Sequence, residues 1–128
     1  FQVYVAYLLN SLEMDLNAFF VLTQLFSLHP QVISKTTMKF YFPLRYFDKI
    51  EKHAGTLDPY LVAALIRQES AYNPTARSPK NARGLMQLLP STASRFGLAR
   101  KQSLFDPETN IRVGTRFLSH LMDRFDGN

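Results

Sequence analysis

The sequence contains no cysteine. That removes disulfides, Cys-ligated zinc and thiol chemistry together, and it leaves the compartment open, because a cysteine-free chain works in either redox environment. No run approaches the roughly 20 apolar residues of a membrane span. Phe1 to Leu9 is apolar but short, and it lacks the basic start of a signal peptide. There is no initiating Met, no internal repeat and no low-complexity tract, so the chain reads as a mature or trimmed product whose targeting segment lies out of view. Nucleic-acid motifs are missing, and no Lys/Arg cluster exceeds Arg100-Lys101. The three histidines, His29, His53 and His120, are scattered, so no metal site is visible and no cofactor is implied.

What is there is a chain of 128 residues, 46% hydrophobic and 20% charged, with a formal net charge of +5. That length is one domain or part of one, with enough apolar material for a core. A basic balance favours polyanionic partners. Nucleic acid is the generic guess, peptidoglycan or an anionic membrane surface fits equally, and a merely solvated basic face is the plain alternative.

The pattern is almost entirely helical. Val5, Leu8, Leu9 and Leu12, then Phe19, Leu22, Leu25 and Phe26, recur at helical spacing. The more polar stretch Asn10 to Asn17 suggests a hairpin break, and His29-Pro30 ends the segment. Residues 31 to 42 read as a connector. Pro43 opens a second helix, Leu44 to Ala54, closed by Gly55. Asp58-Pro59 caps and starts a third, running to about Tyr72, where Asn73-Pro74 stops it. Residues 74 to 89 read as loop with room for a short hairpin. Pro90 starts a fourth helix ending at Gly97. Asp106-Pro107 starts a fifth, with Ile111, Gly114, Leu118, Leu121, Met122 and Phe125 on one stripe.

Within the third helix, Val62, Leu65, Ile66 and Glu69 are spaced i, i+3, i+4, i+7, which puts a carboxylate on the apolar face. Partial burial there, and the negative end of the helix dipole, both disfavour the charged form. A carboxylic acid that holds its proton near neutral pH is what cleavage of a glycosidic bond needs. The competing reading is a solvated Glu at the helix rim, paired with Arg67 or Arg77. A two-carboxylate glycosidase would need a second acid facing Glu69. Asp58 and Asp106 look like caps, Glu108 suits a first turn, and Asp123 and Asp126 have no motif around them. The sequence offers one good acid and no evident partner.

The run Ala64-Leu-Ile-Arg-Gln-Glu69-Ser70-Ala-Tyr-Asn-Pro74, then Ser78, Ala82-Arg-Gly84-Leu85-Met86-Gln87 and Pro90-Ser-Thr92-Ala93, resembles the catalytic core of the soluble lytic transglycosylase family. Leu104-Phe-Asp106-Pro107-Glu-Thr-Asn110-Ile111-Arg-Val-Gly114 resembles its next block, and Phe42-Pro43-Leu-Arg-Tyr46 resembles the lead-in of its large periplasmic members. The resemblance spans roughly residues 42 to 126. It implies a mainly α, goose-lysozyme-like fold with a long glycan groove. It also implies non-hydrolytic cleavage between N-acetylmuramic acid and N-acetylglucosamine, in which the muramic C6 hydroxyl attacks in place of water and leaves a 1,6-anhydro ring. No water need be activated, so one carboxyl suffices as acid and then base.

Carried over by position, Glu69 matches the catalytic residue. Ser78, Gln87, Leu89 and Thr92 match substrate-binding positions, with Leu89 offering apolar contact only. Ser70 matches a residue that supports the helix end, and Leu85 and Met86 read as core. The implied partners are peptidoglycan glycan strands in a bacterial periplasm or envelope. Residues 1–41 then read as the end of an α-superhelical scaffold, missing its earlier helices, and 42–128 as the catalytic domain. Two departures stand out. Asn81-Ala82 replaces the family's Gly-Ala, and Asn is among the few residues that tolerate positive φ. A family helix bearing an Ala-Tyr-Asn-Ala-Gly motif does not follow, so the domain is expected to be truncated at its end. A lysozyme-type hydrolase on the same fold and a catalytically incomplete glycan-binding fragment are the other readings.

Overall fold

The computed structural model describes residues 15–32 and 44–126. The chain divides into two compact units, Phe1–Arg45 and Tyr46–Asn128. In the first, helix α1 (Asp15–Leu28) is followed by a single 3₁₀ turn, Pro30–Val32. His29 N donates to Leu25 O at 2.8 Å, which closes the helix before Pro30. Of the break expected over Asn10 to Asn17, residues 15–17 are helical and the rest lie outside the described residues, as does the expected apolar run before it. So does most of the connector.

Among the described residues the second unit holds four helices: α2 (Phe47–Ala54), α3 (Pro59–Ser70), α4 (Pro90–Arg95) and α5 (Pro107–Asp126). Helix α2 starts three residues later than the expected Leu44, because Tyr46 takes a left-handed φ of 58°, which no helical residue can adopt. The caps fall where the sequence puts them. Tyr60 N donates to Asp58 Oδ1 at 2.9 Å, and Thr109 N donates to Asp106 Oδ2 at 2.9 Å. Each helix that follows a cap begins on proline, whose missing N–H is not needed there.

Helix α5 is the spine of this unit; α2 and α4 both pack on it, and α2 packs on α3. Ile50, Val62, Ile66, Leu85, Ile111 and Val113 are fully buried between them. The expected α5 stripe divides along its length. Ile111 and Gly114 are buried, Leu118 and Leu121 are half-buried, and Met122 and Phe125 lie exposed.

One polar tie crosses the packing of α2 on α5. Glu108 Oε1 accepts from Lys52 Nζ at 2.5 Å and pairs with His53 Nε2 at 3.1 Å. The hydrogen bonds from Lys52, then His53, hold the Glu108 carboxyl down from 4.5 to about 2. A carboxyl depressed in the fold stabilises it above the unfolded pKa and loses that contribution as pH falls. The difference in thermal midpoint between the parent and Glu108→Gln should therefore shrink as pH falls from about 4.5 towards about 2. A constant difference across that window would show the tie to be inert.

Candidate active site

Helix α3 ends earlier than Tyr72, and the reason shapes the site. Ala71 and Tyr72 both have left-handed φ, 49° and 63°. Ala71 N donates back to Arg67 O at 3.0 Å, which caps the helix end. Two side chains hold the chain in this turn. Tyr72 is buried, and its hydroxyl donates to Ala63 O at 3.1 Å. The Ser70 hydroxyl, also buried, donates to Leu85 O at 2.8 Å and lies 3.2 Å from Ile66 O. Ser70 thus fastens the end of α3 to the loop that carries Gln87.

That loop is a tight reversal. Arg83 and Leu88 exchange backbone hydrogen bonds of 2.9 and 3.1 Å, and Gly84 N donates to Ala76 O at 2.8 Å. The short hairpin expected in 74–89 is present as two isolated bridges, Arg77 to Arg83 and Arg83 to Leu88. Gly84 has φ +76°, and a Cβ there would collide with the Leu104 carbonyl and the Asn110 amide, so only glycine fits. Asn81 sits at φ 68°, in the left-handed region expected of it.

The Asn110 side chain, from the first turn of α5 and fully buried, is the centre of this assembly. Its Oδ1 accepts from Met86 N at 2.8 Å, and its Nδ2 donates to Arg83 O at 2.9 Å and Leu104 O at 2.8 Å. In the sequence Asn110 stands inside the block that opens α5, with little local to mark a role for it. A carboxamide at an apolar-flanked helix position was the available signal, since a buried amide must find partners.

Above the loop opens a cleft of about 360 Å³. Leu65 and Glu69 of α3 form one wall, Met86 to Leu89 the floor, and Thr92 of α4 with Phe117, Leu118 and Leu121 of α5 the rest. Gly114 lets α5 come close, because a Cβ there would collide with the Met86 sulfur. Leu85 and Met86 are core, as expected, and Met86 also faces the cleft.

Glu69 lines the cleft but is not buried: its side chain is exposed at the lip. The expected apolar stripe splits, with Val62 and Ile66 in the core and Leu65 and Glu69 turned to the cleft. The expected burial of this carboxylate is thereby corrected; its place in the last turn of the helix stands. Neither Arg67 nor Arg77 pairs with it, and Glu69 makes no hydrogen bond or ion pair among the described residues. Among the described residues it is the one acid lining the cleft. Asp58 and Asp106 are caps, and Glu108 is held by Lys52 and His53.

Of the other anticipated residues, Gln87, Leu89 and Thr92 line the cleft with Glu69. Gln87 has φ 49°, and its Nε2 donates to Gly84 O at 2.8 Å and Ala76 O at 3.1 Å. That fixes the amide and leaves Oε1 without a partner among the described residues. Ser78 lies apart from the lining. Its Oγ accepts from Ala82 N at 3.0 Å and closes the 78–82 turn. The apolar lining from α5 was not anticipated as site at all. Among the described residues no three His, Asp or Glu side chains gather as a metal cluster would, and no helix is long and apolar enough to cross a membrane.

This helical architecture is lysozyme-like, and it is shared with a solved lytic transglycosylase, Slt of Pseudomonas aeruginosa in an inactive mutant form. That structure matches with a TM-score of 0.78 at 30% identity, over 96% of this chain and 20% of that one. Residues 45–128 match the transglycosylase SLT domain, and the chain belongs to that family. It is 41% identical over 96 residues to a soluble lytic murein transglycosylase of Escherichia coli, covering 68% of this chain. It is 45% identical over 80 residues, 62% of the chain, to a membrane-bound lytic murein transglycosylase F of Pseudoalteromonas translucida. The chain spans only 15% and 16% of those two relatives.

Proposed function

We propose that this chain is the catalytic region of a peptidoglycan lytic transglycosylase, with Glu69 as its acid and base. The observation that carries the proposal is the unpaired carboxylate of Glu69 at the lip of a cleft that no second acid lines among the described residues. Most hydrolases that activate water at a glycosidic bond use a facing carboxylate. An intramolecular attack does not. In the proposed reaction Glu69 gives its proton to the glycosidic oxygen as the bond to the muramic C1 breaks. The C6 hydroxyl of the same sugar then bonds to C1, and its proton passes to the Glu69 carboxylate, which restores the acid. No water enters, and the products together have the mass of the substrate. The names of the relatives support this chemistry, as does the glutamate-to-glutamine change in the inactive Pseudomonas enzyme.

The other residues take supporting parts in the same reading. Gln87 Oε1 and the Thr92 hydroxyl meet polar groups of the sugar, and Leu89 gives an apolar contact. Ser70 holds the helix end, and Ser78 shapes the loop from behind. Residues 1–41 are read as the end of a helical scaffold and 42–128 as the catalytic domain, working in the periplasm or envelope of a bacterium. The test is mass spectrometry of the products from purified peptidoglycan. Muropeptides one water lighter than their reducing forms are expected, whereas reducing ends would make the protein a hydrolase.

A further inference from the structure

Two cations are gathered on one neutral atom beside the cleft. Arg77 Nε and Arg83 Nε both donate to Asn81 Oδ1, at 3.0 and 3.1 Å. The two arginines face each other across a backbone bridge, so their side chains leave the same side of the loop. Arg83 also lies over the Phe105 ring, 5.8 Å from its centre, which steadies it. Neither guanidinium pairs with a carboxylate among the described residues, and Lys80 adds a third positive charge at the tip of the same turn. Each arginine spends only its Nε on Asn81. The outer Nη groups, which form the fork suited to an oxyanion, make no hydrogen bond among the described residues. Two like charges this close repel unless an anion sits between them.

The pair adjoins the cleft along the chain on both sides. Arg77 follows Ala76, whose carbonyl accepts from Gln87 Nε2, and Arg83 precedes Gly84, whose carbonyl accepts from the same nitrogen. Asn81, at φ 68°, draws the arginines together. Glycine would satisfy the same positive φ without making either contact.

We propose that Arg77 and Arg83, held by Asn81, form a carboxylate-binding subsite at the edge of the cleft that takes the peptide branches of the glycan substrate. The inference rests on the peptidoglycan reading above. The peptides of such a polymer carry carboxylates, and a paired guanidinium fork selects them over neutral amides. The site reads the branch while the cleft reads the sugar.

The experiment measures binding by titration calorimetry, with Glu69→Gln present to stop turnover. Three soluble glycan fragments are compared: one with peptide branches, one with every branch carboxylate converted to amide, and one without peptide. The free peptide and its amidated form are titrated alongside. The carboxylate-bearing fragment should bind about tenfold tighter than its amidated form. Arg77→Gln with Arg83→Gln should bring that ratio to about one and leave the affinity for peptide-free glycan unchanged. Asn81→Gly, which keeps the turn, should reduce the ratio by roughly threefold or more. Equal binding of acid and amide by the parent, or a ratio that survives the double substitution, overturns the subsite. If no glycan fragment binds, the peptidoglycan reading fails by itself, and discrimination between the free peptide and its amide still decides the arginine pair.

Discussion

Glu69→Gln should lower the rate of anhydro-product formation by about 10³-fold or more, with folding stability unchanged or slightly raised. A positioned acid and base contributes typically about 10²–10⁴-fold, and here one group is asked to serve in both steps. Gln keeps the shape and can neither give nor take the proton. The stability half of the expectation comes from the surroundings of Glu69. It is exposed and has no partner, so nothing is orphaned when the charge goes. Removing a negative charge from the last turn of α3 relieves an unfavourable interaction with the helix dipole, worth about 0.3–1 kcal/mol. Initial rates on peptidoglycan and a thermal melt are both needed. A variant that kept a tenth of the activity would sink the assignment, and one that lost activity by unfolding would show that Glu69 is structural.

Asn110→Ala should cost about 3–5 kcal/mol, a large share of what a small domain has. The substitution orphans the buried Met86 N–H and Leu104 C=O, and it takes from Arg83 C=O one of its two hydrogen bonds, the other coming from Leu88 N. Each unsatisfied buried group costs about 1–3 kcal/mol, and the losses overlap because they share one side chain. Asn110→Asp is expected to do little better. It keeps an acceptor for Met86 N–H but turns an oxygen towards two carbonyls. Denaturant midpoints decide this. A loss under about 1 kcal/mol would mean that the loop keeps its shape without the amide.

How far the sequence could be read follows from the range of the interactions involved. The caps at Asp58 and Asp106 are contacts two and three residues long, and they were legible. The ends of α3 and α4 were placed about two residues late. Their termination depends on partners elsewhere, such as the Leu85 carbonyl that draws in Ser70, which lies 15 residues away. Periodicity put Glu69 on the right face of α3 and overstated its depth, because a helical wheel gives direction and not distance from solvent. The loop residues that line the cleft came from motif resemblance. The wall from α5 was missed because its apolar residues looked like any core stripe. Asn110 was passed over because its three partners become neighbours only once the loop and α5 have met.

The long reach of Asn110 also matters while the protein is being made. Asn110 reaches back 24 residues to Met86 and 27 to Arg83. During synthesis, the helix that bears Glu69 leaves the ribosome well before the segment that braces the cleft floor. A nascent chain therefore displays its acid early and completes the surface that aims it late. Until α5 arrives, the carboxylate is only one more charge on a short helix.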